Sequence, residues 1–158
     1  MPALKKSWRE KLAEDKGLPR IERVTPDMRH GWGQGRFVIP APREVDALIR
    51  TVKRGRLTTV EHLREALARQ QKVKFACPIT PGIAVTICAR AAAEDEAEGK
   101  TRVTLYWRVL RPGGFLNEKY PGGLDDQRCR LIAEGHTVIA RGKRRLVESH
   151  ETKCTMPS

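Results

Sequence analysis

Thiols and imidazoles are the side chains of this sequence best suited to nucleophilic or metal chemistry, and their spacing argues against most of it. Cysteines stand at 77, 88, 129 and 154 and histidines at 30, 62, 136 and 150. No Cys-x-x-Cys pair occurs and no His lies at finger spacing, so neither a zinc module nor a disulfide framework is signalled. Cys77 precedes Pro78 close to the start of a predicted helix, a setting in which the helix dipole lowers a thiol pKa. Cys88 and Cys129 fall on predicted apolar helix faces and read as core, and His62 reads as exposed. The run Gly31-Trp32-Gly33-Gln34-Gly35 has the glycines of a phosphate loop. It lacks both the preceding apolar strand and the Lys-Ser/Thr ending, so no nucleotide is assigned to it. No metal and no cofactor is expected.

Charge is the stronger signal. The 158 residues carry 31 Lys+Arg against 19 Asp+Glu, a net charge of +12 with a pI near 10.1. Such an excess favours a polyanionic partner, nucleic acid foremost, because phosphates neutralised by protein release their counterions. Hydrophobic residues at 39% suit one compact domain. No stretch approaches the roughly 18 apolar residues of a membrane span, so no membrane partner is expected. The start, MPALKKSWREKLAEDK, mixes charges of both signs where a secretory signal would be apolar. With unpaired cysteines read as reduced thiols, a cytoplasmic location is expected.

The elements that must position any site follow from periodicity and punctuation. Leu4, Trp8 and Leu12 make an amphipathic helix over residues 4–15, and the Gly/Pro-rich stretch from 16 to 42 reads as an irregular basic arm. Val45, Leu48, Ile49 and Val52 predict a helix from Pro42 that stops before Gly55. Thr58 and Glu61 have capping-box spacing ahead of a second helix with Leu63, Ala66 and Leu67, ending around Gln71. Thr80 as cap and Pro81 in the first turn open a third helix with Ile83, Ala84, Ile87, Cys88 and Ala91, fraying at Glu94-Asp95-Glu96. Residues 102–110 are β-branched and aromatic enough for a strand. Leu124, Leu131 and Ile132 mark a fourth helix stopped at Gly135, and a hairpin turns about Arg141-Gly142-Lys143. The second and third helices fit a helix-turn-helix and the hairpin its wing.

Three segments, in order, carry a family resemblance. Arg54-Gly55-Arg56-Leu57-Thr58-Thr59 resembles the Gly-Lys-Val-Thr-Thr-Tyr that leads into the helix-turn-helix of methylguanine-DNA methyltransferases and alkyltransferase-like proteins. Leu105-Tyr106-Trp107-Arg108-Val109 stands where that family has Pro-Cys-His-Arg-Val. Tyr120-Pro121-Gly122-Gly123-Leu124, followed by Arg128, Leu131 and Glu134-Gly135, is similar to its Tyr-x-Gly-Gly-Leu and closing Leu-x-x-Glu-Gly. The resemblance spans about residues 42–136. It implies an α+β fold: a winged helix-turn-helix over 42–150, preceded by the N-terminal helix and arm (1–41) and followed by a tail (151–158).

In that family a damaged guanine is rotated out of the duplex and a pocket cysteine, activated by a His that a Glu holds, takes its alkyl group. Here Glu134 keeps the Glu position, while Tyr106 and Trp107 replace the cysteine and histidine. A tyrosine of ordinary pKa near 10 without an adjacent imidazole is a poor nucleophile, so no catalytic residue is assigned. The resemblance then implies the alkyltransferase-like branch, which binds alkylated guanine and recruits nucleotide excision repair. Tyr106, Trp107, Arg108, Asn117, Tyr120, Gly122, Gly123 and Glu134 would form the base pocket, with Tyr106 and Trp107 offering ring faces to a flipped base. Arg56, Thr58, Thr59, Thr80, Ile83, Arg90 and Lys119 would contact double-stranded DNA, Ile83 as an apolar wedge in place of the family's arginine finger. The acidic run Glu94 to Glu98 replaces the family's Asn-Pro, and acids there would sit badly beside phosphate. A monomer is expected. The alternatives are suicidal transfer to Cys77 or Tyr106, and a helix-turn-helix redirected to RNA or to a protein partner.

Overall fold

The computed structural model describes residues 5–28 and 32–158, so Leu4, His30 and Gly31 lie outside the described residues. Six helices and seven short strands follow in the order α1 (Trp8–Ala13), β1 (Arg20–Arg23), β2 (Arg36–Ile39), α2 (Pro42–Ile49), β3 (Thr58–Thr59), α3 (Val60–Gln71), β4 (Phe75–Ala76), α4 (Thr80–Ala97), β5 (Val109–Leu110), α5 (Gly123–Ala133), β6 (Val138–Arg141), β7 (Arg144–Val147) and α6 (His150–Lys153) among the described residues. The fold is α+β.

Local chemistry explains where most helices begin. Pro42 occupies the first turn of α2, and the Glu44 carboxylate accepts the Ala41 N–H at 2.9 Å. Thr59, not Thr58, caps α3: its hydroxyl accepts the His62 N–H at 3.2 Å. The cap moves because Thr58 and Thr59 pair in parallel with Val109 and Leu110, which keeps the chain extended through Thr59. Thr80 is likewise the first helical residue of α4 and not its cap, and Ile79 precedes it without a side-chain bond.

The segment expected to be an irregular arm carries β1 and β2, paired antiparallel from Arg20↔Ile39 to Arg23↔Arg36. β2 also pairs in parallel with β4, Phe37 against Phe75 and Val38 against Ala76. Conversely, the strand expected over 102–110 is confined to Val109–Leu110. Tyr106–Arg108 form a 3-10 turn instead. Their apolar composition reflects burial on all sides, since Val103, Tyr106, Val109 and Leu110 are all buried.

α4 runs through the middle of the core. Ala84, Val85, Cys88, Ala89 and Ala92 meet Val45, Leu48 and Ile49 of α2 and Leu63, Ala66 and Leu67 of α3. Small side chains let neighbouring helices approach it from several directions, which is why it shows no single apolar stripe. A second cluster of Leu57, Leu110, Leu116, Leu131 and Val147 lies beneath the β6–β7 hairpin, which turns at Gly142 with φ +62°. Cys129 and Ile132 of α5 and Ile83 of α4, all placed on buried faces by their spacing, are exposed. No helix among the described residues is long and apolar enough to cross a membrane.

Candidate functional site

Two of the three segments of the family resemblance meet at one carboxylate, and Arg54 of the remaining one donates to the adjacent Ala133 carbonyl at 2.9 Å. Glu134, at the C-terminal cap of α5, accepts the Trp107 indole N–H at 3.0 Å. It also accepts the Arg108 Nε–H at 2.9 and 3.0 Å and an Nη2–H at 2.5 Å. Arg108 spends its remaining prong on the Val52 carbonyl at 2.5 Å, between α2 and β3. The Arg108 and Glu134 side chains are 7% and 4% exposed. Burial works to raise the Glu134 pKa, but the hydrogen bonds from Arg108 and Trp107 outweigh it and hold the carboxyl below its ordinary 4.5. His136, two residues on, is buried with Nε2 unpartnered, and desolvation holds its pKa below 6.5.

Behind Trp107, Gln127 is fully buried and clamps two segments. Its amide N–H donates to the Trp107 carbonyl at 3.1 Å, and its oxygen accepts the Asn117 N–H at 2.8 Å. The Asn117 side chain is spent on its own turn, accepting the Lys119 N–H at 2.9 Å. Tyr120 is buried, donates its hydroxyl to the Val109 carbonyl at 2.9 Å, and presents its ring edge-on to Tyr106 with centroids 5.3 Å apart. Gly122, at φ +81°, caps α5; a Cβ there would come within 2.5 Å of Asp126 Cβ. Glycine is the residue that permits this turn.

Tyr106 is 1% exposed, so the ring expected to wall an open pocket is part of the core. Burial pushes its hydroxyl up to about 12, with Asp126 and Glu96 adding to the effect against the Arg130 charge. A phenol so placed supplies no nucleophile at neutral pH. Trp107 is half-buried and is the more accessible of the two rings. The Arg130 guanidinium lies 4.7 Å from the Trp107 ring centroid and 5.5 Å from that of Tyr106. Sequence reasoning missed both Arg130 and Gln127. Arg130 had a signal, standing four residues after Asp126, to which its Nε–H donates at 2.9 Å.

The residues assigned to nucleic acid divide. Arg56 and Lys119 are exposed, and Ile83 is 55% exposed beside Ile79 at 59%. Thr58 and Thr59 are buried in the β3–β5 pairing and closed to a ligand, and Thr80 is half-buried. Arg90 reaches the Lys119 carbonyl at 3.2 Å and lies 5.4 Å from the Trp8 ring centroid, under α1. The acidic run is neutralised from within. Arg9 of α1 grips Glu98 through two N–H groups at 2.6 and 2.7 Å, Arg130 donates to Glu96 at 2.8 Å, and Lys100 pairs with Asp95 at 3.4 Å. Glu94 accepts the backbone N–H groups of Trp8 and Arg9 at 3.2 and 2.9 Å, satisfying the first turn of α1. These contacts carry α4 intact to Ala97, beyond the fraying expected at Glu94-Asp95-Glu96.

Cys77 and Cys88 are buried, and burial pushes the Cys88 thiol well up. Among the described residues no group of three or more His, Cys, Asp or Glu side chains is placed to hold a metal ion. Comparison with known families, with curated proteins and with solved structures finds no match to this chain.

Proposed function

We propose that the protein is a non-catalytic, monomeric binder of double-stranded DNA that recognises alkylated guanine or distorted duplex in the manner of alkyltransferase-like proteins. On this reading α3 and α4 act as a helix-turn-helix with the β6–β7 hairpin as wing, and the bound lesion is passed to nucleotide excision repair in the cytoplasm. The observation that carries the reading is the Trp107–Glu134–Arg108 cluster. In the family that the sequence resembles, this Glu holds the catalytic His; here the indole N–H of Trp107 takes the same donor role, while the acceptor position is a buried tyrosine. The accessible surface of the site is Trp107 under Arg130, which favours detection of a distorted or unstacked base at its mouth over a deep slot for it.

The test is a gel shift on one duplex with and without O6-methylguanine, over a series of salt concentrations, beside intact-mass measurement of the protein. The reading expects affinity that falls steeply with salt, tighter binding to the methylated duplex and no change of mass. Equal affinity for both duplexes removes lesion recognition, preference for RNA of the same sequence favours a redirected scaffold, and a gain of one methyl group establishes suicidal transfer. Absence of any duplex binding overturns the reading.

A further inference from the structure

We propose that the concavity between the 111–116 loop and the β6–β7 hairpin is a phosphate site for a nucleic-acid backbone, separate from the Trp107 site; the choice of nucleic acid rests on the function proposed above. Arg111, Lys143, Arg144 and Arg145 line this hollow of about 180 Å³ with a single acidic neighbour, Glu118. None of the four is in an ion pair among the described residues. Four cations gathered on one small surface repel one another until an anion neutralises them. The acidic run of α4 is committed to Arg9, Arg130 and Lys100, and the one carboxylate at the hollow, Glu118, offsets only one of the four cations, which leaves a net positive surface for an external anion.

Two of the four cations, Arg144 and Arg145, are also held in place before any ligand arrives. The Arg144 guanidinium carbon lies 3.5 Å from the Phe115 ring centroid. Phe115 is fixed in turn: its carbonyl accepts the Arg111 N–H at 2.8 Å and it bridges to Leu146. Gly113, at φ +80°, leaves room for that ring, since a Cβ would come within 3.0 Å of it. Arg145 donates to the carbonyls of Gly142 at 3.3 Å and of Arg144 at 3.0 Å, while its own carbonyl accepts the Leu116 N–H at 2.9 Å. Guanidinium forks suit the several oxygens of a phosphate.

The experiment compares the full chain with K143Q/R144Q/R145Q in binding to an unmodified duplex across a series of KCl concentrations. A second variant, R111Q/K143Q, removes exposed cations whose side chains make no hydrogen bond, and so keeps the test valid if the triple variant unfolds. For each phosphate that the variant no longer neutralises, the slope of log affinity against log salt should shrink by about 0.9, and affinity at low salt should fall on the order of tenfold in the triple variant. A control with equal loss of charge elsewhere, K5Q/K72Q/R102Q, should change the slope little. If the native chain fails to bind duplex, the function proposed above fails, yet the site is still tested by inorganic tripolyphosphate: the Gly113, Gly142 and Arg144 amide resonances should shift in the native chain and not in R111Q/K143Q. An unchanged slope in both hairpin variants, an equal loss in the control, or tripolyphosphate shifts absent or indifferent to substitution overturns the proposal.

Discussion

Arg108 and Arg9 each grip a carboxylate through more than one N–H, yet they act on the molecule in different ways. Arg108 and Glu134 are almost sealed from water, at 7% and 4% side-chain exposure, whereas Arg9 and Glu98 are 38% and 51% exposed. In the first cluster each group has lost its hydration and depends on the other, so removing one leaves an uncompensated buried charge. In the second, water and salt ions stand ready to replace either partner. The same pair of functional groups is therefore a fixed strut in one place and a releasable clasp in the other.

The sharpest way to break this contrast is Glu134→Gln, which strands Arg108. Urea unfolding should show a loss of about 3–5 kcal/mol, and a loss near zero would show that the strut is solvated after all. Replacing both partners, as R108M/E134L, should recover part of that loss, because two apolar groups have no charge to desolvate, while the Trp107 N–H and the Val52 carbonyl lose their partners. Acid tests the same strut. Glu134 and His136 both have folded pKa values held below their unfolded ones, so the unfolded chain binds more protons and stability falls with pH. The His136 contribution is present above its ordinary 6.5 and is lost as pH falls through its lower folded value; that of Glu134 is present above 4.5 and lost below it. Denaturant midpoints followed from pH 8 downward should decline in that order, and E134Q should lack the lower step.

Smaller effects sharpen the comparison from neutral groups. Thr59→Ala removes the α3 cap and should cost about 1 kcal/mol with no salt dependence. Arg9→Gln should have the smallest effect, a lowering of Tm that fades as salt is added, while E134Q keeps its full penalty. A salt-independent effect of Arg9→Gln would mean that the clasp is drier than its exposure indicates.

The sequence made the local parts of this fold readable. Helical spacing with Pro42, Pro81 and the glycines at 55 and 135 bounds α2, α3, α4 and α5, and Gly142 marks the hairpin turn. β1 and β2 escaped because β2 is completed by β4, more than thirty residues later, and dense Gly and Pro hid the short extended runs between them. Residues 102–110 were misread because β-branched and aromatic side chains register burial as readily as strand pairing. At the site, the motifs identified Tyr106, Trp107, Arg108 and Glu134 as neighbours. They did not reveal that Tyr106 would be closed off by Tyr120, or that α1 would lie over Arg90, since both depend on contacts across the chain.

The hold of Glu94 on the amides of Trp8 and Arg9 joins positions 86 and 85 residues apart. Closing a loop of that length is entropically slow to achieve compared with the near-neighbour contacts that build α5 and the hairpin. Docking of the first helix is accordingly expected to follow the formation of those local elements. In hydrogen exchange its amides should follow local opening at low free energy, while the amides of β5 and of Arg108 wait for the whole domain to unfold.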